Sequence, residues 1–223
     1  IDKLSAKQLV HGPGRQILPR VAPDGDDILF YGREAGKRGL MRVPVSGGTA
    51  ELLFETSNVA DFRCSPAGPC IIAEFQPDRR IVVSALDPRK GKGREIYREA
   101  SGRIVTPDIS PDGRFLATPS PTKIVVRSFA TGFVVREIDV RHGTAPTRLT
   151  SLDYSPDGRG FYAGDITPSE ARLLYIDLTG KASVICRQAG SLPQIWGIPS
   201  PDGKHVAIMM HTDDSNVYLL DAF

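Results

Sequence analysis

The sequence predicts an all-β fold made of five copies of one four-stranded antiparallel unit, and three observations carry that expectation. A turn signature recurs as Ala22-Pro23-Asp24-Gly25, Ser65-Pro66-Ala67-Gly68, Ser110-Pro111-Asp112-Gly113, Ser155-Pro156-Asp157-Gly158 and Ser200-Pro201-Asp202-Gly203, with prolines 43, 45, 45 and 45 residues apart. A fixed period of this length marks one supersecondary unit copied along the chain, each copy unable to bury its apolar faces alone. Short apolar or β-branched runs follow every signature. The 18 prolines and 22 glycines, with no amphipathic stretch of helical period, argue against helices.

Within each signature, proline presets the first turn torsion, Asp bonds its own backbone two residues on, and Gly accepts positive φ. Each signature is therefore a tight turn joining a first strand to a second. The second strands begin at 27–30, 70–73, 115–117, 160–163 and 205–208 and read as strands buried on both faces. Third strands are expected at 40–44, 81–85, 123–127, 173–176 and 216–220. After a further Gly-bearing turn, fourth strands are expected at 51–54, 94–97, 134–138 and 182–186. Four strands per repeat of about 40–50 residues is the β-propeller pattern.

The chain reads as a single domain over 1–223. The fifth repeat stops after its third strand, while Lys7-Gln8-Leu9-Val10 resembles a fourth. Residues 1–10 are thus expected to supply a ring-closing outer strand, removing the exposed edge. A five-blade ring and five blades of a longer propeller both fit this phase.

Composition bounds the function. Net charge is +2 with both signs mixed, and 40% of residues are apolar. Arg79-Arg80 and the run from Arg89 to Arg94 read as solvated hairpin charges rather than a nucleic-acid face, which needs base-stacking aromatics as well. No stretch is long and apolar enough for a membrane-spanning helix. Cys64 and Cys70 flank the second turn on paired strands and fit either a disulfide or two buried thiols; Cys186 reads as core. No second ligand pair accompanies them, so no zinc site is expected. His11, His142, His205 and His211 fall at unrelated repeat positions and suggest neither a metal nor a catalytic role.

No catalytic residue and no cofactor are expected: GxSxG, phosphate-loop and HExxH motifs are all absent. The chemistry-bearing positions lie instead on the first strand of each repeat. Three residues before the turn proline stand Arg20, Arg63, Asp108, Asp153 and Ile198; five before stand Leu18, Asp61, Thr106, Ser151 and Trp196. These alternate with a largely apolar set, so period two sends the polar set toward a water-filled channel and the apolar set between blades. Arg20, Arg63, Asp61, Asp108, Asp153 and Trp196 are the candidate ligand site, guanidinium for an anion and Asp for hydroxyls or amines. The same residues also fit internal neutralisation, since charges near a low-dielectric wall need partners. Trp196 fits either a stacking platform or blade packing.

The recurring Ser-Pro-Asp-Gly followed by an apolar strand resembles the TolB-like, WD40-related (PD40-type) propeller repeat of bacteria over essentially the whole chain. Further segments, Arg42-Val43-Pro44-Val45-Ser46-Gly47-Gly48 and Trp196-Gly197-Ile198-Pro199 running into the last turn, resemble the C-terminal propellers of bacterial winged-helix regulators or serine/threonine kinases. That resemblance implies a sensory or interaction half of a signalling protein, often separated from its effector by one membrane span. It implies a bacterial source and a periplasmic or otherwise extracytoplasmic face, with the cytoplasm as the alternative. The expected function is a non-catalytic binding module for a protein or small ligand. A small hydrolase such as a glycosidase using channel carboxylates, and a structural oligomerisation module, are the alternatives.

Overall fold

The computed structural model describes residues 8–10, 15–34, 36–100, 107–141, 148–167, 169–190 and 194–211. Their regular structure is entirely β. The first sheet holds β1 (Ile17–Val21), β2 (Asp27–Glu34), β3 (Lys37–Pro44) and β4 (Glu51–Glu55), paired in chain order. The second holds β5 (Val59–Cys64), β6 (Cys70–Phe75), β7 (Arg80–Asp87) and β8 (Gly91–Ala100). The third holds β9 (Asp108–Ile109), β10 (Phe115–Pro119), β11 (Lys123–Ser128) and β12 (Val134–Asp139). The fourth holds β13 (Leu149–Tyr154), β14 (Gly160–Ile166), β15 (Glu170–Asp177) and β16 (Ala182–Ala189). Two strands, β17 (Gln194–Pro199) and β18 (Val206–His211), form the fifth. These are four four-stranded propeller blades and a two-stranded sheet, where five four-stranded blades were expected. The third strand placed at 216–220 lies outside the described residues. Gln8–Val10 belong to no strand; Leu9 and Val10 pack instead against Phe30, Met41 and Val43 of the first sheet. The rest of the ring-closing strand lies outside the described residues.

All five signatures are turns between first and second strands, and three of them share one bonding scheme. The Ser hydroxyl donates to the Asp carboxylate, at 2.5 Å in Ser110–Asp112 and 2.6 Å in Ser155–Asp157 and Ser200–Asp202. The same carboxylate accepts the N–H two residues on, from Arg114, Arg159 and Lys204. Gly closes the turn with its N–H on the Ser carbonyl at a φ of about +70°, where a Cβ would be strained. The second turn has Ala67 in place of Asp. There the Ser65 hydroxyl accepts from the Ala67 N–H and donates to the Pro111 carbonyl of the next turn at 2.8 Å. Cys64 and Cys70 stand opposite each other across this turn, with Cα atoms 4.0 Å apart and their sulfurs joined as a disulfide.

The chain divides into two compact units, Ile1–Leu116 with Arg127–Val135, and Ala117–Val126 with Arg136–Phe223; the boundary runs through the third sheet. In the first unit, Leu29, Leu40, Phe62, Ile72 and Leu86 interlock between the first and second sheets. Ile71, Val83, Ile96, Ile109 and Leu116 continue that packing one sheet further. In the second unit, Ala171, Leu173 and Ile195 form the equivalent layer. Of the apolar set expected on the first strands, Phe62, Leu152 and Ile109 are buried, whereas Pro19 and Val21 of β1 are exposed.

Candidate functional site

In the first unit the structure brings Arg20, Asp61 and Arg63 together. Arg63 Nε lies 3.0 Å from Asp61 Oδ2, and an Arg20 guanidinium nitrogen lies 3.7 Å from Oδ1. Asp61 Oδ1 also accepts the Phe62 N–H at 2.8 Å. Strand alternation puts Asp61 and Arg63 on one side of β5, and β1 carries Arg20 to the same carboxylate. Asp61 is only 6% exposed and, in the second unit, Asp153 only 7%, while Arg20, Arg63 and Asp108 are part-buried. Burial this deep selects charges that are already partnered, and Asp108 and Asp153 are likewise engaged by neighbours. Trp196, on β17 opposite Met209, is half-buried; Ile195 beside it fills the layer between sheets.

Sequence reasoning missed a second ion pair. Asp165 and Arg172 stand directly opposite across β14 and β15, and both are buried. Arg172 donates through Nε at 2.8 Å, and through a terminal nitrogen, to Asp165 Oδ2, while Asp165 Oδ1 accepts the Arg148 N–H at 2.6 Å. Glu170 stands 3.8 Å from Arg172 Nε and bonds Arg187 at 3.1 Å, extending the network toward solvent.

Two cavities open beside neighbouring turns. The first, of about 380 Å³, is bounded by Pro23 and Asp24 of the first turn, Pro66 and Ala67 of the second, and Pro88 and Arg89 of the β7–β8 loop. Arg89 pairs with the first turn: a terminal nitrogen donates to Asp24 Oδ2 at 3.0 Å and lies 3.8 Å from Asp26. Arg94 donates to the carbonyls of Phe129 and Ala130 at 2.7 and 2.9 Å. Apart from Gly91 the Arg89–Arg94 run is exposed, as a solvated loop is, and Arg89, Lys92 and Arg94 each bond a neighbour, Lys92 to Glu74. The second cavity, of about 510 Å³, lies within the second unit, between the turns carrying Asp157 and Asp202. Tyr162 and Tyr175 line it, cross-strand neighbours with ring centroids 5.5 Å apart in an edge-on arrangement. Elsewhere the residue opposite the same first-strand position is Leu29, Ile71 or Ala207, so Tyr162 is a departure from the repeat. That departure was the available signal. Gly160 makes room for the neighbouring Tyr175, since a Cβ there would come within 2.6 Å of its hydroxyl.

The turn carboxylates are held in their charged form. Arg89 bonded to Asp24 keeps that carboxyl below the usual carboxylate range, helped by the Asp26 N–H. For Asp112, Asp157 and Asp202 the Ser hydroxyl two residues earlier is the main cause of the same lowering, with backbone N–H donors adding to it. His205 and His211 are exposed, and His11 and His142 lie outside the described residues. Among the described residues no group of three or more His, Cys, Asp or Glu is placed to hold a metal ion. No helix among them is long and apolar enough to cross a membrane.

The fold is that of TolB-type propellers. The chain superimposes on a protein described as TolB from Agrobacterium tumefaciens with a TM-score of 0.65 at 18% identity, covering 86% of this chain and 73% of that one. TolB from Acinetobacter baumannii gives 0.63 at 16%, covering 88% and 54%. An oligogalacturonate lyase solved in complex with manganese gives 0.61 at 12%, covering 92% and 66%. Likeness at such identities establishes the fold alone. Among curated sequences, autophagy-related protein 18 of Meyerozyma guilliermondii is 37% identical over 65 residues, which is 29% of this chain and 11% of that protein. The chain therefore spans about a tenth of that relative. No family model matches the sequence.

Proposed function

We propose that this chain is a non-catalytic binding module, the extracytoplasmic sensing or docking part of a larger bacterial signalling protein. The observation that carries the reading is the pair of cavities between stiff, repeated turns. Repeated turns frame each cavity, and the residues lining it differ from one cavity to the other, as recognition surfaces require. The charged first-strand residues have a structural part in this reading, because Asp61 is buried between two arginines. The Cys64–Cys70 disulfide suits an oxidising compartment.

A thermal-shift screen against peptides, amines, anions, sugars and divalent metals tests this. A ligand at 100 times its dissociation constant adds about 2.7 kcal/mol to stability. Arg63→Ala is expected to lower the melting temperature while leaving any ligand shift in place; a ligand shift abolished by Arg63→Ala would return the first-strand cluster to the role of binding site. A screen without hits, paired with concentration-dependent self-association, would favour a structural oligomerisation module instead.

One observation favours a second reading, a carbohydrate-active enzyme: the likeness to an oligogalacturonate lyase. It predicts manganese-dependent cleavage of oligogalacturonate that Asp108→Asn or Asp153→Asn abolishes. No cleavage by the wild-type chain with manganese present would remove it.

A further inference from the structure

We propose that the groove between the fourth and fifth turns is a receptor site for the guanidinium of an arginine side chain carried by a partner polypeptide. This rests on the binding-module reading and names the ligand class of one of its sites.

The chain itself shows what a turn carboxylate in such a groove accepts. Arg89 lines the groove between the first and second turns, and its guanidinium bonds the turn carboxylate Asp24 Oδ2. Arg127 shows the companion geometry: its guanidinium lies 4.5 Å over the Tyr97 ring and donates to Glu99 at 2.7 Å. Carboxylate plus tyrosine face is thus a guanidinium seat already in use in this chain.

The groove between the fourth and fifth turns assembles the same two components, and neither lysine nor arginine is among the residues that line it. Asp157 and Asp202 each commit Oδ1 to their own turn, accepting from Ser155 and the Arg159 N–H, and from Ser200 and the Lys204 N–H. Among the described residues no hydrogen bond or ion pair reaches either Oδ2. Both carboxyls are held ionised, and Tyr162 and Tyr175 supply the aromatic wall. Arg89 follows Leu86-Asp87-Pro88, and the matching stretch of the fifth repeat reads Leu220-Asp221-Ala222-Phe223. No lysine or arginine occurs in 205–223, so that stretch of sequence offers no cation of its own. Two carboxylate oxygens and a ring face suit a planar fork of N–H donors better than a compact ammonium, which selects arginine over lysine.

The test is amide and aromatic NMR of the full chain at neutral pH, titrated with acetyl-Gly-Arg-Gly-amide and with its citrulline counterpart, a near-isostere without the charge. The arginine peptide is expected to shift Asp157, Gly158, Asp202, Gly203 and the rings of Tyr162 and Tyr175, less strongly as salt is raised. The citrulline peptide is expected to leave them in place. Asp157→Asn and Asp202→Asn keep the Oδ1 acceptor that each turn needs, and each is expected to raise the dissociation constant about tenfold. In Arg89→Ala the Asp24 carboxylate loses its guanidinium partner, and the first groove is expected to gain shifts at Ala67 and Gly68. Equal response to citrulline, or unchanged affinity in both Asn variants, overturns the proposal. If the arginine peptide moves nothing while the ligand screen returns another compound, the assignment fails and the binding-module reading survives. If the screen is otherwise empty and these shifts appear, the assignment stands alone.

Discussion

A single aspartate does two things in these turns: it fixes the backbone through Oδ1 and leaves Oδ2 out of the turn's own hydrogen bonds. Its charge is therefore coupled to folding. The folded-state pKa of Asp112, Asp157 and Asp202 lies below the ordinary 3.8, so their contribution to stability is fully present above that value and is lost as pH falls through the folded one. Ser155→Ala removes the principal donor, and the Asp157 carboxyl is expected to titrate closer to 3.8 when followed by carboxyl-carbon NMR. An unmoved titration would assign the lowering to the Arg159 N–H instead. Local chemistry of this kind was legible in the sequence, because Pro, Asp and Gly act within four residues of one another. The bond from Arg89 to Asp24 was not, since the partners are 65 residues apart and only the folded loops bring them together.

At the scale of the strand, register decides which charges meet. Asp165 and Arg172 are seven residues apart in sequence and face each other only because β14 and β15 pair in that register. Both are buried, so removing one strands the other's charge. Asp165→Ala is expected to cost about 3–5 kcal/mol in urea unfolding, while a double change to apolar residues of similar volume costs far less. Similar losses for the single and double variants would show that packing, and not the unpaired charge, sets the cost. Strand order and the joining turns were readable from the sequence, and so was the opposition of Cys64 and Cys70 that the structure shows as a disulfide. Period-two alternation separated polar from apolar positions on β5. Alternation says that two residues share a face; it does not choose between a face that meets water and the mutual neutralisation that Arg20, Asp61 and Arg63 form.

For the molecule as a whole, repetition makes stability close to a sum of units and their neighbour contacts. The disulfide closes a separation of only six residues, and the loss of Cys64 and Cys70 together to Ala is expected to cost about 2 kcal/mol by loop entropy. Hydrogen exchange is expected to record that loss in β5, β6 and β7 of the first compact unit, with β13, β14 and β15 of the second keeping their protection. Uniform loss across both units would mean that they open as one. The fivefold period was plain in the sequence. The division into two compact units was not, because it cuts through the third sheet where the repeat shows no break.

Ser65 shows how a repeat stops being a spare part. Without an aspartate two residues on, its hydroxyl reaches out to Pro111 of the following turn. What is a self-contained knot in three other turns has become a stitch between neighbours. Cassette exchange should feel the difference: the fourth repeat grafted into the second position brings a finished turn but neither stitch nor sulfur bridge, so the third repeat loses a neighbour that it had come to depend on.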